Sequence, residues 1–184
     1  MTLLCFGDSN TLGYDPRDLF GGSYDAPWPA LLERESGWRV LNAGCNGRRI
    51  PGSGRERAVL LERLERKGPD ALLLMLGTND ILQGANPERC AGRMKALLEQ
   101  VREKAPPLSV LVLSPPRIDL PGVQAPLEEL TAGLRQAAEE AGAAFADCRE
   151  WHIPLAFDGI HFTREGHALF ARYLAKLPLF ESRA

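Results

Sequence analysis

Ala71-Leu72-Leu73-Leu74-Met75-Leu76 is an apolar run with no polar interruption, and it stops at Gly77-Thr78-Asn79-Asp80. A strand with one wet face alternates apolar and polar residues. This run does not, so both of its faces are buried, as in the middle of a parallel sheet. Working outward, Leu3-Leu4-Cys5-Phe6 reads the same way, and Trp38–Asn42, Leu108–Leu113 and Ala143–Asp147 read as further strands. Helical segments separate them. Pro29–Glu35 has Pro in its first turn and closes at Gly37, with Trp28 just ahead as a staple to the body. Arg55–Lys67 carries Leu60, Leu61 and Leu64 on one face and ends at Gly68-Pro69. Asn86 caps a long helix opened by Pro87, in which Met94, Leu97, Leu98 and Val101 keep helical spacing. Pro126–Ala141 turns Leu127, Leu130 and Leu134 inward and is capped by Gly142. Thr163 caps a final helix with His167, Phe170, Ala171 and Leu174 on one face. Asp15–Pro29, rich in Gly, Pro and Asp, is expected to be irregular surface loop. Strand-helix alternation with non-alternating strands implies a three-layer α/β/α fold with a parallel sheet.

The 184 residues suit one domain spanning 1–184, with no repeat or linker to divide it. A formal net charge of -2, with 45% hydrophobic and 25% charged residues, gives no reason to expect nucleic acid or an anionic membrane as partner. Cys5, Cys45, Cys90 and Cys148 are scattered without a C-x-x-C pair, which argues against a zinc site and against a disulfide framework. Cys5 and Cys148 are expected to pack in the core and Cys45 in its loop. With a strand starting near Thr2 there is no room for a leader, and no apolar run reaches membrane-spanning length. A cytoplasmic protein of undetermined oligomeric state is the expectation.

The unusual polar residues all follow strands. Ser9 follows the first, Gly47 the second, Asn79 the third, and Asp158 and His161 the fifth. In a parallel sheet these loops share one edge, where distant residues converge. The residue types make a complete acyl-transfer set: Ser9 as nucleophile, His161 as general base, Asp158 to orient the imidazole. Backbone N–H groups of Ser9 and Gly47, with the Asn79 amide, would donate to the oxyanion. Asp8 and Asp80 read as loop-fixing acceptors. His167, on an apolar helix face, reads as a packing residue, while His152 stays open as a pocket residue. Two other classes remain open on residues alone. One is a doubly wound module binding a small anion such as flavin phosphate, against which no G-x-G-x-x-G or G-x-x-x-x-G-K-[ST] run occurs. The other is a metal-dependent phosphoesterase using Asp8, Asp158 and His161.

Gly7-Asp8-Ser9, Gly47, Gly77-Thr78-Asn79-Asp80 and Asp158-Gly159-Ile160-His161 match in order the four sequence blocks of the SGNH/GDSL hydrolase family, which the chain therefore resembles. The run from Gly7 to Tyr14, with Asn46-Gly47-Arg48, is similar to the arylesterase and acyltransferase-like branch. The resemblance implies a flavodoxin-like sandwich with five parallel strands in the order 2-1-3-4-5, and no metal or organic cofactor. It assigns Ser9, His161 and Asp158 as catalytic and Ser9, Gly47 and Asn79 as oxyanion-hole members. The implied activity is hydrolysis of small short-acyl or aryl carboxylic esters through an acyl-serine, with acyl transfer as a side activity. Lysophospholipase, thioesterase or carbohydrate deacetylase activity would use the same machinery. Asn10 stands where the family name has Leu, and Leu12 where the branch often has Trp. Asn10, Leu12, Tyr14, Arg48 and Ile160 are the candidates to contact substrate, and Arg117 and Phe162 further candidates to border it.

Overall fold

A computed structural model describes residues 1–18 and 20–181. Leu19 of the expected 15–29 loop, and the last three residues of the 1–184 span, lie outside the described residues. The core is a five-stranded parallel sheet in the order β2-β1-β3-β4-β5. Its strands are β1 (Thr2–Gly7), β2 (Arg39–Asn42), β3 (Ala71–Met75), β4 (Ser109–Leu113) and β5 (Ala144–Ala146). Every residue of β3 is buried, as its uninterrupted apolar run requires. Its neighbours pair in one continuous register, from Leu3 opposite Ala71 to Gly7 opposite Met75, and from Ala71 opposite Ser109 to Met75 opposite Leu113.

Alternate residues of these strands feed two cores. Leu4, Phe6, Leu72, Leu74, Val110 and Val112 pack under α3 (Gly54–Lys67), α5 (Pro87–Lys104) and α6 (Gln124–Glu140). Leu3, Cys5, Leu73, Met75, Leu111 and Leu113 pack under α2 (Trp28–Ser36) and α7 (Arg164–Ala175). Trp28 belongs to α2 itself and is fully buried, its ring 5.2 Å from that of Phe170, which in turn lies 5.0 Å from Phe162. Aromatic pairs of this kind contribute about 0.5–1.5 kcal/mol beyond the area they bury. Helix starts follow local chemistry. Ser53 and Glu56 form a reciprocal capping box on α3, Asn86 accepts from Arg89 N–H on α5, and Thr163 accepts from Gly166 N–H on α7.

Two elements lie inside the functional loops: α1 (Ser9–Leu12) directly after β1, and α4 (Thr78–Leu82) directly after β3; the short α8 (Pro178–Glu181) follows α7. At four and five residues, α1 and α4 are too short for hydrophobic periodicity to reveal. Where α1 crosses the end of β2 the backbones nearly touch: a Cβ on Gly44 would stand 2.1 Å from the Leu12 nitrogen and 2.5 Å from its Cα. Asn42 closes the same seam, donating to the Thr11 carbonyl at 2.9 Å and accepting from Gly44 N–H at 2.8 Å. No described helix is long and apolar enough to cross a membrane.

Because the atoms facing Gly44 are main chain, Gly44→Ala can be accommodated only by moving α1. We expect a loss of about 1–3 kcal/mol, seen as a thermal midpoint lowered by roughly 2–4 °C per kcal/mol. An unchanged midpoint in a melting experiment would show that the seam is slack.

Candidate active site

Each strand delivers one loop to the carboxyl edge of the sheet, and three side chains from two of those loops meet. Asp8 opens α1 as its N-cap, its Oδ1 accepting from Asn10 N–H at 3.0 Å, which holds Ser9 at the first helical position. Ser9 Oγ lies 3.0 Å from His161 Nε2, across 152 positions of sequence. On the other side of the ring, His161 Nδ1 lies 2.6 Å from Asp158 Oδ2. Asp158 Oδ1 also accepts from Ile160 N–H and His161 N–H, each at 3.0 Å. The carboxylate thus builds the turn that carries the imidazole. Burial works to raise the Asp158 carboxyl, but the His161 ring and then the His161 and Ile160 N–H groups hold it below the usual carboxylate range. An ionised carboxylate on Nδ1 fixes the tautomer with its hydrogen there and leaves Nε2 as acceptor for the serine hydroxyl.

Other expected residues lie in the neighbouring loops of the same edge. Gly47 takes φ +70° in the turn closed by Arg48 N–H to the Cys45 carbonyl, and it is exposed. A left-handed third position in such a turn is where glycine costs least. The Asn79 side chain donates to the Arg48 carbonyl at 3.0 Å, joining α4 to the Gly47 turn. Tyr14 stacks obliquely on His161, centroids 4.7 Å apart, and is held by an antiparallel bridge to Ser23. Leu12 and Ile160 are half-buried, Ile160 packing toward the core under α5 and α6.

Several sequence-based expectations are corrected. Asn10 is 1% exposed, with both ends of its amide bonded to the 158–162 loop, so it faces no substrate. Arg48 is tied down rather than free: its guanidinium bonds the Gly7 and Ala43 carbonyls and lies over the Phe6 ring, while the half-buried residue still lines the depression beside Gly47. Phe162 is wholly buried in the aromatic cluster rather than at the surface, and Cys45 is exposed rather than packed. Asp80, expected to tie its own loop, instead ties the one after β2: Oδ2 accepts Ile50 N–H at 2.9 Å, while Oδ1 faces Arg93 Nη1 at 3.3 Å and Cys90 Sγ at 3.7 Å. Arg93 and Cys90 carried no motif by which the sequence could single them out; their signal is only their place on the inner side of α5.

His167 is the packing residue it was read to be. Burial pushes its imidazole down to about 4, its Nδ1 accepts Trp28 N–H at 3.2 Å, and it stays neutral. His152 is exposed, at φ +48°, on the rim of a depression of about 320 Å³ shared with Arg117, Phe157 and Asp158. A second depression of about 340 Å³ flanks Gly47, between Cys45, Arg49, Pro51 and Val59. Ser9 itself is 7% exposed, between these two depressions' loops. Among the described residues Asp8, Asp158 and His161 do not form a metal-holding cluster. Asp8 is wholly buried and faces the Asn10 N–H.

With the geometry described, the comparisons decide the family. A model of the GDSL-like lipase/acylhydrolase family matches residues 5–169. The chain belongs to that family. Among its relatives, a GDSL lipase of Mycobacterium tuberculosis is 30% identical over 93% of this chain and 78% of its own length. Thioesterase 1/protease 1/lysophospholipase L1 of Escherichia coli is 33% identical over 95% of this chain and 82% of its own. The native aryl esterase of M. smegmatis superposes with a TM-score of 0.79 at 25% identity, covering 95% of this chain and 96% of that one. The parallel sheet and its strand order are those expected of a GDSL hydrolase.

Asp8 supplies a pH test. Burial, working against the Asn10 N–H, the Thr78 hydroxyl, His161 and Arg48, raises its carboxyl from the usual 3.8 to about 6. The folded state therefore binds more protons than the unfolded one between those values, so this group costs stability progressively as pH rises through that window. Asp8→Asn keeps the cap and has no proton to lose. Its stability relative to wild type is expected to climb between about pH 4 and 6 and then level off, by at most about 3 kcal/mol. Denaturant midpoints across that range check it; a difference independent of pH would contradict the raised value.

Proposed function

We propose that the protein is a serine esterase acting on small carboxylic esters, with Ser9 as nucleophile, His161 as general base and acid, and Asp158 as the group that orients and stabilises the imidazolium. The observation that carries this reading is the unbroken hydroxyl–imidazole–carboxylate chain from Ser9 Oγ through His161 to Asp158 Oδ2. His161 Nε2 takes the serine proton as Oγ attacks the ester carbonyl carbon. The developing oxyanion accepts from the N–H groups of Ser9 and Gly47 and from the Asn79 amide, donors worth about 2.7–4 kcal/mol of barrier each in a measured case. The imidazolium then gives its proton to the departing alcohol or phenol, leaving acyl-Ser9. A water molecule, deprotonated by His161, releases the acid, and an alcohol in its place gives acyl transfer.

The surroundings favour short acyl or aryl groups. The flanking depressions, at about 340 and 320 Å³, stand at the small end of the roughly 300–1,000 Å³ usual for ligand sites. Tyr14 beside His161 offers an aromatic face to a flat substrate. The similarity to the E. coli enzyme keeps thioester and lysophospholipid hydrolysis as the second reading. A non-catalytic anion-binding module gives no account of the bond chain from Ser9 to Asp158. Four free cysteines, three of them buried, suit a reducing cytoplasmic setting.

A fluorophosphonate probe is expected to label wild type once, at Ser9, and to leave Ser9→Ala unlabelled. His161→Ala should lose on the order of 10³-fold or more in kcat, as removal of one member of a cooperating triad does. The wild-type kcat/KM should rise with pH as one imidazole loses its proton. Hydrolysis of p-nitrophenyl acetate by Ser9→Ala at near the wild-type rate would sink the assignment. A chain-length series of p-nitrophenyl esters beside acyl-thioesters decides between the two substrate classes.

A further inference from the structure

Asn10 follows Ser9 directly, and its side chain is used wholly inside the protein. Its amide nitrogen donates to the Ile160 carbonyl at 3.1 Å, and its amide oxygen accepts from Phe162 N–H at 2.9 Å. These two partners are the residues on either side of His161. One buried side chain therefore closes both neighbours of the imidazole-bearing residue, from a helix whose first residue bears the hydroxyl. The backbone N–H of Asn10 is itself held by Asp8 Oδ1.

The loop has other supports, but they act within it or on its far side. Asp158 Oδ1 organises its turn, Leu155 bridges Phe162, and the Gly159 carbonyl accepts from Asp119 N–H at 2.7 Å. Among the hydrogen bonds of the described residues, the two from Asn10 are those that join α1 to this loop, apart from the Ser9–His161 contact itself.

We propose that Asn10 is a positioning residue for proton transfer, the clamp that holds His161 Nε2 at hydrogen-bond reach of Ser9 Oγ. The proposal rests on the reading of Ser9 and His161 as nucleophile and base. The chemistry demands an amide. Ile160 offers an acceptor and Phe162 a donor, and a neutral group with one of each satisfies both. A leucine of similar size at this position would leave the buried Phe162 N–H and the part-buried Ile160 carbonyl without these partners. A displacement of about 1 Å between reacting groups costs on the order of 10²-fold in rate, so a clamp with no substrate contact still governs turnover.

The experiment compares Asn10→Ala and Asn10→Asp with wild type and Ser9→Ala, measuring kcat and KM for p-nitrophenyl acetate, the rate of fluorophosphonate labelling, and thermal melting. Asn10→Ala is expected to lose about 10- to 100-fold in kcat with KM nearly unchanged, and to label in the same reduced proportion. Asn10→Asp is nearly isosteric and covers the case in which the alanine variant does not fold. Protonated, its carboxyl both donates to Ile160 and accepts from Phe162; ionised, it can no longer donate. Its activity relative to wild type should therefore decline as pH rises over roughly pH 5 to 8, the range to which burial lifts a carboxyl, the neighbouring Asp8 and Asp158 carboxyls delaying that ionisation and His161 favouring it.

A folded Asn10→Ala with wild-type kcat and labelling rate overturns the clamp. So does a raised KM with kcat intact, which would make Asn10 a substrate contact, and so does an Asn10→Asp/wild-type ratio that is flat with pH. Ser9→Ala separates the two levels: activity retained there removes the nucleophile reading itself, whereas inactive Ser9→Ala beside fully active Asn10→Ala removes the clamp alone.

Discussion

The pairing of β1 with β3 runs from Leu3 opposite Ala71 to Gly7 opposite Met75, and everything functional hangs from the end of that ladder. Gly7 is the last residue in register, and the space beside it is already taken. A Cβ there would come within 2.9 Å of the Met75 carbonyl and collide with the Thr11 side chain of α1. The missing side chain lets α1 fold down onto the strand ends, so Asp8 and Asn10 are buried and Ser9 keeps 7% of its surface exposed. Two cores clamp the ladder from both sides, so its end is as fixed as any point in the molecule.

Electrostatics divides the carboxylates of the edge by the partners they meet. Asp80 is buried and raised by that burial, yet the Ile50 N–H, Arg93 and Cys90 gather around it. A buried charge so placed does little for net stability by itself but penalises any arrangement that leaves it unpaired. It thereby pins the β2–α3 segment whose other end carries Gly47. Asp158 is less buried and meets a ring nitrogen and two N–H groups, so its charge is favoured. Asp8 meets chiefly one N–H and pays for burial with a raised value. Three carboxylates within one sheet edge thus hold different protonation tendencies, set by how deeply each is buried against the donors aimed at it.

Much of this was legible beforehand. The uninterrupted apolar runs at Leu3–Phe6 and Ala71–Leu76 report burial on both faces because no polar side chain can be hidden there, and Gly and Pro punctuation reports the loops between. The meeting of Ser9, His161 and Asp158 was legible because they fall where strands end, and a parallel topology brings such ends together. What the sequence leaves unstated is direction. Asn10 and Arg48 are polar residues in active-edge loops, so composition points them at substrate; in space the first bonds the 158–162 loop and the second caps carbonyls over Phe6. Cys45, an apolar type in a glycine-rich turn, is read as packed, yet the left-handed Gly47 turn carries it outward. Periodicity cannot see α1 or α4, which are shorter than the window in which a helical repeat becomes detectable.

The contact between residues 9 and 161 joins segments 152 positions apart. Contacts of such separation form late, because the entropy of bringing remote segments together must be met before they return any energy. During synthesis residue 9 is made 152 positions before residue 161, so the contact between them can close only after the chain in between has been translated and docked. If these two residues act as proposed, a cut that frees the α7 side of the molecule removes the imidazole from Ser9 without touching the serine. Wide separation along the polypeptide makes intactness of the whole fold a precondition for reactivity at one atom.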